Sequence, residues 1–119
     1  MKNYDEMSDF EINKLVATQL HGEEWWHKYG VVFTMQLKPT DCGGMETRKA
    51  PVNYCKNPSD AWPIIVESKI DIAHTVSGDV SCAVFKADER GLYREFYPSV
   101  HKNPLRAAMI CFLKIMDAK

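Results

Sequence analysis

Side chains that serve as nucleophiles, bases or metal ligands are few in this sequence and widely spaced. There are four cysteines and four histidines, and no C-x-x-C pair or H-E-x-x-H string occurs among them. A catalytic thiol needs a neighbouring base, and the best local candidate is Cys82 with His74, on either side of a predicted turn. A zinc site needs cysteines or histidines grouped in pairs. We therefore predict no catalytic residue, no metal and no cofactor, and expect a non-enzymatic protein.

The start of the last predicted helix, at Asn103-Pro104, brings together groups that suit an anion. The free N–H groups and the positive dipole end of a helix favour phosphate or carboxylate there. His101 and Lys102 come just before the helix, and Arg106 lies one turn into it. The competing interpretation is that Asn103 only caps the helix while Arg106 faces solvent. The candidate ligand-binding residues are Asn103, Arg106, His101 and Lys102.

Two adjacent tryptophans, Trp25 and Trp26, are candidate interface residues. They precede His27, Lys28 and Tyr29, and aromatic side chains beside cations can stack on nucleic acid bases. Tryptophan and tyrosine are also enriched in protein interfaces. The competing interpretation is that one tryptophan packs in the core and the other covers the first helix. Because neighbouring side chains point in different directions, we expect at least one of the two to be exposed.

Capping signals and apolar spacing predict three helices. They cover about 8–20, 58–68 and 104–117. Ser8 and Glu11 form an S-x-x-E capping box, and Asn-Pro pairs open the other two helices. Trp62, in the second helix, is expected in the core. The last helix is apolar nearly all round, which indicates burial on more than one side or an additional contact with a partner chain.

Strand patterns lie between these helices. Residues 31–37 are rich in β-branched and aromatic side chains, and about 69–97 alternates through three strands whose short turns require antiparallel pairing. The segment at about 38–50 contains proline and glycine and shows no hydrophobic periodicity, so a flexible surface loop is expected there. The prediction is one α+β domain over 1–119, with an antiparallel sheet of 3–5 strands and helices on both faces.

Charge and hydropathy disfavour several classes of protein. Fifteen Lys and Arg face sixteen Asp and Glu, a formal net charge of −1, so general binding of nucleic acid phosphates is disfavoured. The longest apolar run, 107–113, is far shorter than the roughly 20 residues needed to cross a bilayer. The N-terminus lacks the basic start and apolar core of a secretory signal. We therefore expect a cytoplasmic protein without membrane contact, and rank nucleic acid below proteins and small ligands as a partner.

Three segments carry a resemblance to a known family. They are SDFEINKLVA at 8–17, KNPSDAWPIIVESKI at 56–70 and NPLRAAMICFL at 103–113. These strings resemble the NinX-like family of phage proteins, a domain of unknown function, whereas 21–50 shows no resemblance. The resemblance implies a phage or prophage accessory protein working in the cytoplasm of a bacterial host. It brings no assigned activity and no catalytic residue.

The first hypothesis on function is that the protein binds a host or phage macromolecule, or associates with itself. It rests on the apolar last helix, the paired tryptophans and the lack of catalytic motifs. The alternative is a protein that sequesters a small anionic or nucleotide ligand at the Asn103 helix start. A concave pocket around Arg106 would favour the ligand, and a flat apolar patch would favour a protein interface.

Overall fold

The computed structural model describes residues 3–74, 79–89, 91–96 and 102–117, with side chains at 3–74, 79–84, 89, 91 and 102–117. In chain order the elements are a 3₁₀ turn (Tyr4–Glu6), α1 (Asp9–His21), β1 (Trp25–Lys28), β2 (Val31–Pro39), β3 (Met45–Val52), α2 (Pro58–Glu67), β4 (Ile70–His74), β5 (Val80–Asp88), β6 (Gly91–Phe96) and α3 (Pro104–Asp117). The α+β class and the three predicted helices are confirmed.

The first two helices begin where their capping signals place them. The Ser8 hydroxyl accepts a hydrogen bond from the Glu11 N–H (3.2 Å), and Asn57 Oδ1 accepts one from the Ser59 N–H (3.0 Å). These side chains satisfy N–H groups that the first turn of a helix leaves without a partner. Helix α2 then runs through Pro63 to Glu67.

The six strands form two antiparallel sheets of three. The first sheet has the order β1-β2-β3 and the second the order β4-β5-β6. The second sheet is the meander predicted at about 69–97, with Ile72 opposite Cys82 and Ala83 opposite Phe96. Helix α1 packs on the first sheet, whereas α2 and α3 pack on the second. The arrangement of helices on both faces of one sheet stays a prediction.

The flexible loop predicted at about 38–50 is wrong in its extent, because β2 and β3 occupy most of that segment. The two strands are joined by a tight turn in which the Thr40 N–H donates to the Gly44 carbonyl oxygen (2.8 Å). Gly43 has a φ of +85° in this turn, a left-handed conformation that favours glycine. Charged side chains in β3 interrupt the alternation by which a strand is recognised in a sequence.

Helix α3 forms the centre of the core. Every residue in 106–113 is buried, and α1, α2, β4 and β5 surround the helix. A helix that is apolar all round is a buried helix, so this chain alone explains its composition. The functional hypothesis therefore loses the support that it drew from the apolar last helix. Neither α3 nor any other described helix has the length and apolar character needed to cross a membrane.

The first sheet continues into a two-stranded arm. Strand β1 pairs with β2 as far as Thr34, opposite Trp25, so 35–39 of β2 and 45–49 of β3 extend beyond it as a ribbon, here called the arm. The longest dimension of the molecule is 51 Å, and its radius of gyration is 15.9 Å against about 13.5 Å for a compact chain of this length. A two-stranded ribbon is marginally stable by itself in water, so contacts made by the side chains of the arm would stabilise it.

Candidate functional site

The predicted anion-binding residues at the start of α3 are bonded within the fold. Asn103 Oδ1 accepts hydrogen bonds from the N–H groups of Leu105 (3.0 Å) and Arg106 (3.4 Å). Asn103 Nδ2 donates to the Cys55 carbonyl oxygen (2.7 Å). The N–H groups that would bind an anion already have an acceptor, so this geometry supports the capping interpretation of Asn103.

Arg106 is buried, with 6% of its surface exposed, so the expectation that it faces solvent is wrong. Its Nη1 donates to Asp9 Oδ1 (2.7 Å). Its Nη2 donates to the carbonyl oxygens of Tyr4, Asp5 and Met7. These bonds tie α3 to the start of α1 and to the 3₁₀ turn before it. Both terminal nitrogens therefore serve the fold and are not free to bind a ligand, while Nε is buried without a hydrogen-bond partner.

The other two candidates at this helix start contribute little to an anion site. Lys102 is exposed, and His101 lies outside the residues that the structure describes. Anion binding here stays a prediction, and an anion would have to displace Asn103 Oδ1 from the N–H group of Leu105.

In the described part of the chain, the candidate catalytic and metal-binding side chains are not grouped into a site. Cys82 is buried and in hydrogen-bond contact with Cys111 of α3, whereas His74 is exposed on β4. The thiol and imidazole considered as a nucleophile pair are therefore in different environments. Within the described ranges, no cluster of three or more His, Cys, Asp or Glu side chains is suited to a metal ion.

The two tryptophans of β1 point to opposite sides of the first sheet, as neighbours in a strand must. Trp25 packs against the core beside His27, and the His27 ring lies 5.6 Å from the Phe10 ring of α1, centroid to centroid. Trp26 is 40% exposed and lies on the side away from α1. The first sheet therefore has an inner face, covered by α1, and an outer face.

The strand register defines the outer face, because residues opposite one another in antiparallel strands share a side. Its apolar members are Trp26, Val31, Phe33, Met35, Leu37, Pro39, Met45 and Pro51, and its polar members are Lys28, Thr47 and Lys49. Leu37 is 67% exposed and Met45 is 62% exposed. Since α1 is the helix that packs on this sheet and it covers the inner face, the outer face lies open among the described elements.

The outer face is the more apolar side of β2. Its β2 residues from 31 to 37 are Val, Phe, Met and Leu, whereas the inner side has Val32, Thr34, Gln36 and Lys38. In a sheet with one solvated face the apolar side ordinarily packs on the core, and a shift of one residue would exchange the two sides. Here Thr34 is 2% exposed while Leu37 points to solvent. Exposed apolar patches are common at sites where proteins bind other molecules, so the outer face is the candidate interface.

The strand charges on the outer face are both positive. Lys49 Nζ lies 4.2 Å from the centroid of the Trp26 ring, and Lys28 Nζ lies 5.3 Å from the centroid of the Tyr29 ring. Such cation–π contacts hold the ammonium groups against aromatic surface. Because the strand residues of this face include no carboxylate, the face is positive in a chain whose net charge is −1.

A match to a protein family extends over nearly the whole chain. The family described as "Bacteriophage P22, NinX" matches residues 3–116. The chain belongs to the bacteriophage P22 NinX family. The resemblance carried by three segments of the sequence is thereby confirmed, and the NinX match also spans 21–50, which contains β1 and β2. Searches of the curated proteins and of the solved structures found no match.

The sequence contains one signal for the outer face of this NinX-family protein. From Phe33 to Leu37, apolar residues alternate with Thr34 and Gln36, a period-two pattern that predicts a strand with two unlike sides. The pattern does not indicate which side of the strand packs against the core. Residue type alone made Trp26 a candidate interface residue. It did not identify Met35, Leu37 and Met45.

A second exposed apolar pair in the NinX-family chain lies on α2. Trp62 is 61% exposed and Val66 is 56% exposed, and residues four apart share one side of a helix. The expectation that Trp62 belongs to the core is wrong, because Ala61, Ile64 and Ile65 form the buried side of α2. Two residues make a much smaller surface than the outer face.

We expect Asn103→Ala to lower the free energy of unfolding of the NinX-family protein by about 1–2 kcal/mol, the contribution typical of a helix cap. Asn57→Ala is the matched control, because Asn57 caps α2 but is exposed. Asn103 also donates to Cys55, so its loss should exceed that of Asn57. Urea unfolding measures both changes, and equal losses would show that the bond to Cys55 adds nothing.

Stability of the NinX-family fold should fall at alkaline pH. Burial, with a smaller contribution from the Asp60 charge, raises the pKa of Tyr54 from 10.0 to about 12, and burial raises the pKa of the Cys55 thiol from 9.0 to about 12. Both groups hold their protons more tightly when folded, so their contribution is complete below pH 9 and is lost as the pH rises toward 12. The urea midpoint should drop over this window, and Tyr54→Phe should make the drop shallower. Tyr29→Phe, at a residue that is 92% exposed, should leave it unchanged; an unaltered drop in Tyr54→Phe would contradict the prediction.

Proposed function

We propose that this NinX-family protein is a non-enzymatic phage accessory protein of the bacterial cytoplasm, and that it acts by binding another protein through the outer face. The observation that carries the proposal is the orientation of β2, in which Val31, Met35 and Leu37 are exposed on the outer side while Val32 and Thr34 are packed inside. Removing such a face from water is favourable, which gives a partner its main source of binding energy.

The composition of the outer face suits a protein partner. Aromatic residues and methionine are enriched in protein interfaces, and Trp26, Met35 and Met45 supply them here. Methionine side chains are flexible and polarizable, so they adapt to the shape of a partner. The alternative of a small anionic ligand has weaker support, because Asn103 and both terminal nitrogens of Arg106 are engaged within the fold, and Arg106 Nε, which has no hydrogen-bond partner, is buried.

The arm adds a reason for a partner to lie along the whole face. Its outer side carries Leu37 and Met45, and both are mostly exposed. A partner that contacts the three-stranded part and the arm together would support a ribbon that is marginally stable alone. Binding would then stabilise the arm as well as bury its apolar side chains.

The test compares two acidic substitutions one residue apart. Leu37→Asp places a carboxylate on the outer face, where burying it under a partner is costly. Gln36→Asp makes the same change of charge on the inner side of the arm. Each protein would be immobilised and exposed to lysate of phage-infected host cells, and the retained proteins would be quantified by mass spectrometry.

The proposal is supported if wild type and Gln36→Asp retain the same proteins and Leu37→Asp retains about tenfold less of them. A tenfold change corresponds to a loss of about 1.4 kcal/mol in binding free energy. Retention that Leu37→Asp does not change would overturn the assignment of the outer face. A dimer in solution that Leu37→Asp dissociates would assign this face to self-association instead. The urea midpoint of each variant shows that the fold is intact.

A further inference from the structure

On the basis of the binding function proposed above, we propose that the outer face accepts an amphipathic helix of another protein, with acidic side chains along both flanks of that helix. Lys28 and Lys49 would contact these acids, while the apolar residues of β2 contact the apolar side of the helix. The size of the face, the position of its charges and its open side all point to this occupant.

The outer face is too small for a stable pairing of two copies of this chain. Strand β2 has nine residues and is about 26 Å long. With strands about 5 Å apart, the flat footprint of the face is roughly 300 Å². A stable interface between folded proteins buries about 800 Å² on each partner. A single helix of about 17 residues has the length of β2. The size therefore favours one segment of a partner over a second copy.

Charge also disfavours a second copy. The outer-face positions of the strands include Lys28 and Lys49 and no Asp or Glu. Two outer faces packed together would bring ammonium groups from both copies into one interface without a strand carboxylate to pair with them. Glu46, the acid nearest to Lys49 along the chain, lies on the inner side of the arm and pairs with Arg48, whereas Glu24 and Asp41 lie outside the strands. An occupant with its own carboxylates would instead form ion pairs with the lysines.

The two lysines lie on opposite sides of β2. Lys28 belongs to β1 and is paired with Val31, whereas Lys49 belongs to β3 and is paired with Met35. Lys49 Nζ reaches over β2 to the Trp26 ring of β1. A helix laid over β2, the central strand of this sheet, would displace this contact and then have one lysine beside each flank. This placement is the reason for expecting acids on both flanks of the helix.

A helix is the element that completes a sheet with one open apolar face. Helix α1 already covers the inner face, and an apolar sheet face is buried by packing a second layer, such as a helix, against it. Apolar residues at helical spacing in the partner would meet the apolar stripe of β2. Single-stranded nucleic acid is a weaker fit, because bases bind by stacking on aromatic side chains, and Trp26 and Phe33 are the only aromatic residues among the strand residues of the outer face.

Fluorescence anisotropy with three labelled peptides of about 17 residues tests the occupant. The first peptide has leucines on one side of a helix and glutamates on both flanks. The second replaces the glutamates with lysines, and the third keeps the glutamates but replaces the leucines with serines. We expect wild type to bind the first peptide about tenfold more tightly than the second, because each exposed ion pair or like-charge contact changes affinity a few-fold. The third should not bind, and the preference should shrink in about 0.5 M salt.

Charge reversal on the protein gives the decisive comparison. Lys28→Glu combined with Lys49→Glu should reverse the preference, so that the lysine-flanked peptide binds more tightly. Lys38→Glu is the matched control, because Lys38 is also exposed but lies on the inner side of the arm, and it should leave the preference unchanged. Lys28 and Lys49 are exposed as well, so the urea midpoint of the double variant should stay near that of wild type.

The outcomes separate this inference from the proposed function. Equal binding of the acidic and basic peptides would overturn the acidic occupant, while the comparison of Leu37→Asp with Gln36→Asp would still test the face as a binding site. Failure of every peptide to bind would overturn the helical occupant in the same way. Tighter binding of a single-stranded oligonucleotide than of the acidic peptide would replace the helix with nucleic acid. A dimer of wild type that Leu37→Asp dissociates would replace it with a second copy.

Discussion

Arg106→Ala should lower the free energy of unfolding by about 3 kcal/mol, the lower end of the range for breaking a buried ion pair. The guanidinium is joined to Asp9 (2.7 Å) and to backbone carbonyl oxygens around the 3₁₀ turn. Its side chain is 7% exposed, so the acceptors that lose it gain little access to water. The Asp9 side chain is 32% exposed, and its remaining hydration limits the loss.

Urea unfolding followed by circular dichroism measures this loss, with Arg48→Ala as the control. Arg48 pairs with Glu46 on the arm, its side chain is 66% exposed, and an exposed pair contributes at most about 1 kcal/mol. Asp9→Asn, alone and combined with Arg106→Ala, completes a double-mutant cycle whose coupling should reach about 1–2 kcal/mol. A loss below about 1 kcal/mol for Arg106→Ala would show that this cluster does not hold α1 to α3.

The helices were predictable because their signals are local. The Ser8 and Asn57 caps accept hydrogen bonds from residues two or three positions away, so the sequence contains both partners within one turn. Arg106 shows that contacts between distant residues are not predictable in this way. Its partner Asp9 is 97 residues away, and no neighbouring residue distinguishes a buried arginine from one that faces solvent. For this reason the sequence did not show that Arg106, a candidate for the anion site, is bonded within the fold.

The first sheet was predicted less well than the helices, and so was the surface that it carries. The hairpin of β2 and β3 pairs Pro39 with Met45 across a turn that lacks the usual two-residue Asn-Gly or Asp-Gly signal. The alternation of β2 is visible in the sequence, but the usual rule assigns its apolar side to the core. Only the packing of α1 against the opposite side shows that Leu37 faces outward. Trp26 is the part of the candidate interface that residue type alone could supply.

Met109→Ala should lower the free energy of unfolding by about 2–5 kcal/mol, the range for truncating a large buried side chain. Met109 is 0% exposed at the centre of α3, where α1, α2 and the second sheet surround the helix. A close-packed core relaxes only partly around a deletion, so a cavity remains and adds to the loss of buried apolar surface. Urea unfolding measures the change.

Met45→Ala removes the same atoms from the outer face, where Met45 is 62% exposed, and should change the free energy of unfolding by less than about 0.5 kcal/mol. The same variant should weaken binding of the glutamate-flanked peptide, since Met45 leaves water only in the complex. The two methionine substitutions therefore separate a contribution to folding from a contribution to binding. If Met45→Ala destabilised the protein as much as Met109→Ala, the outer face would be packed within this chain, and no exposed surface would be left there for a partner.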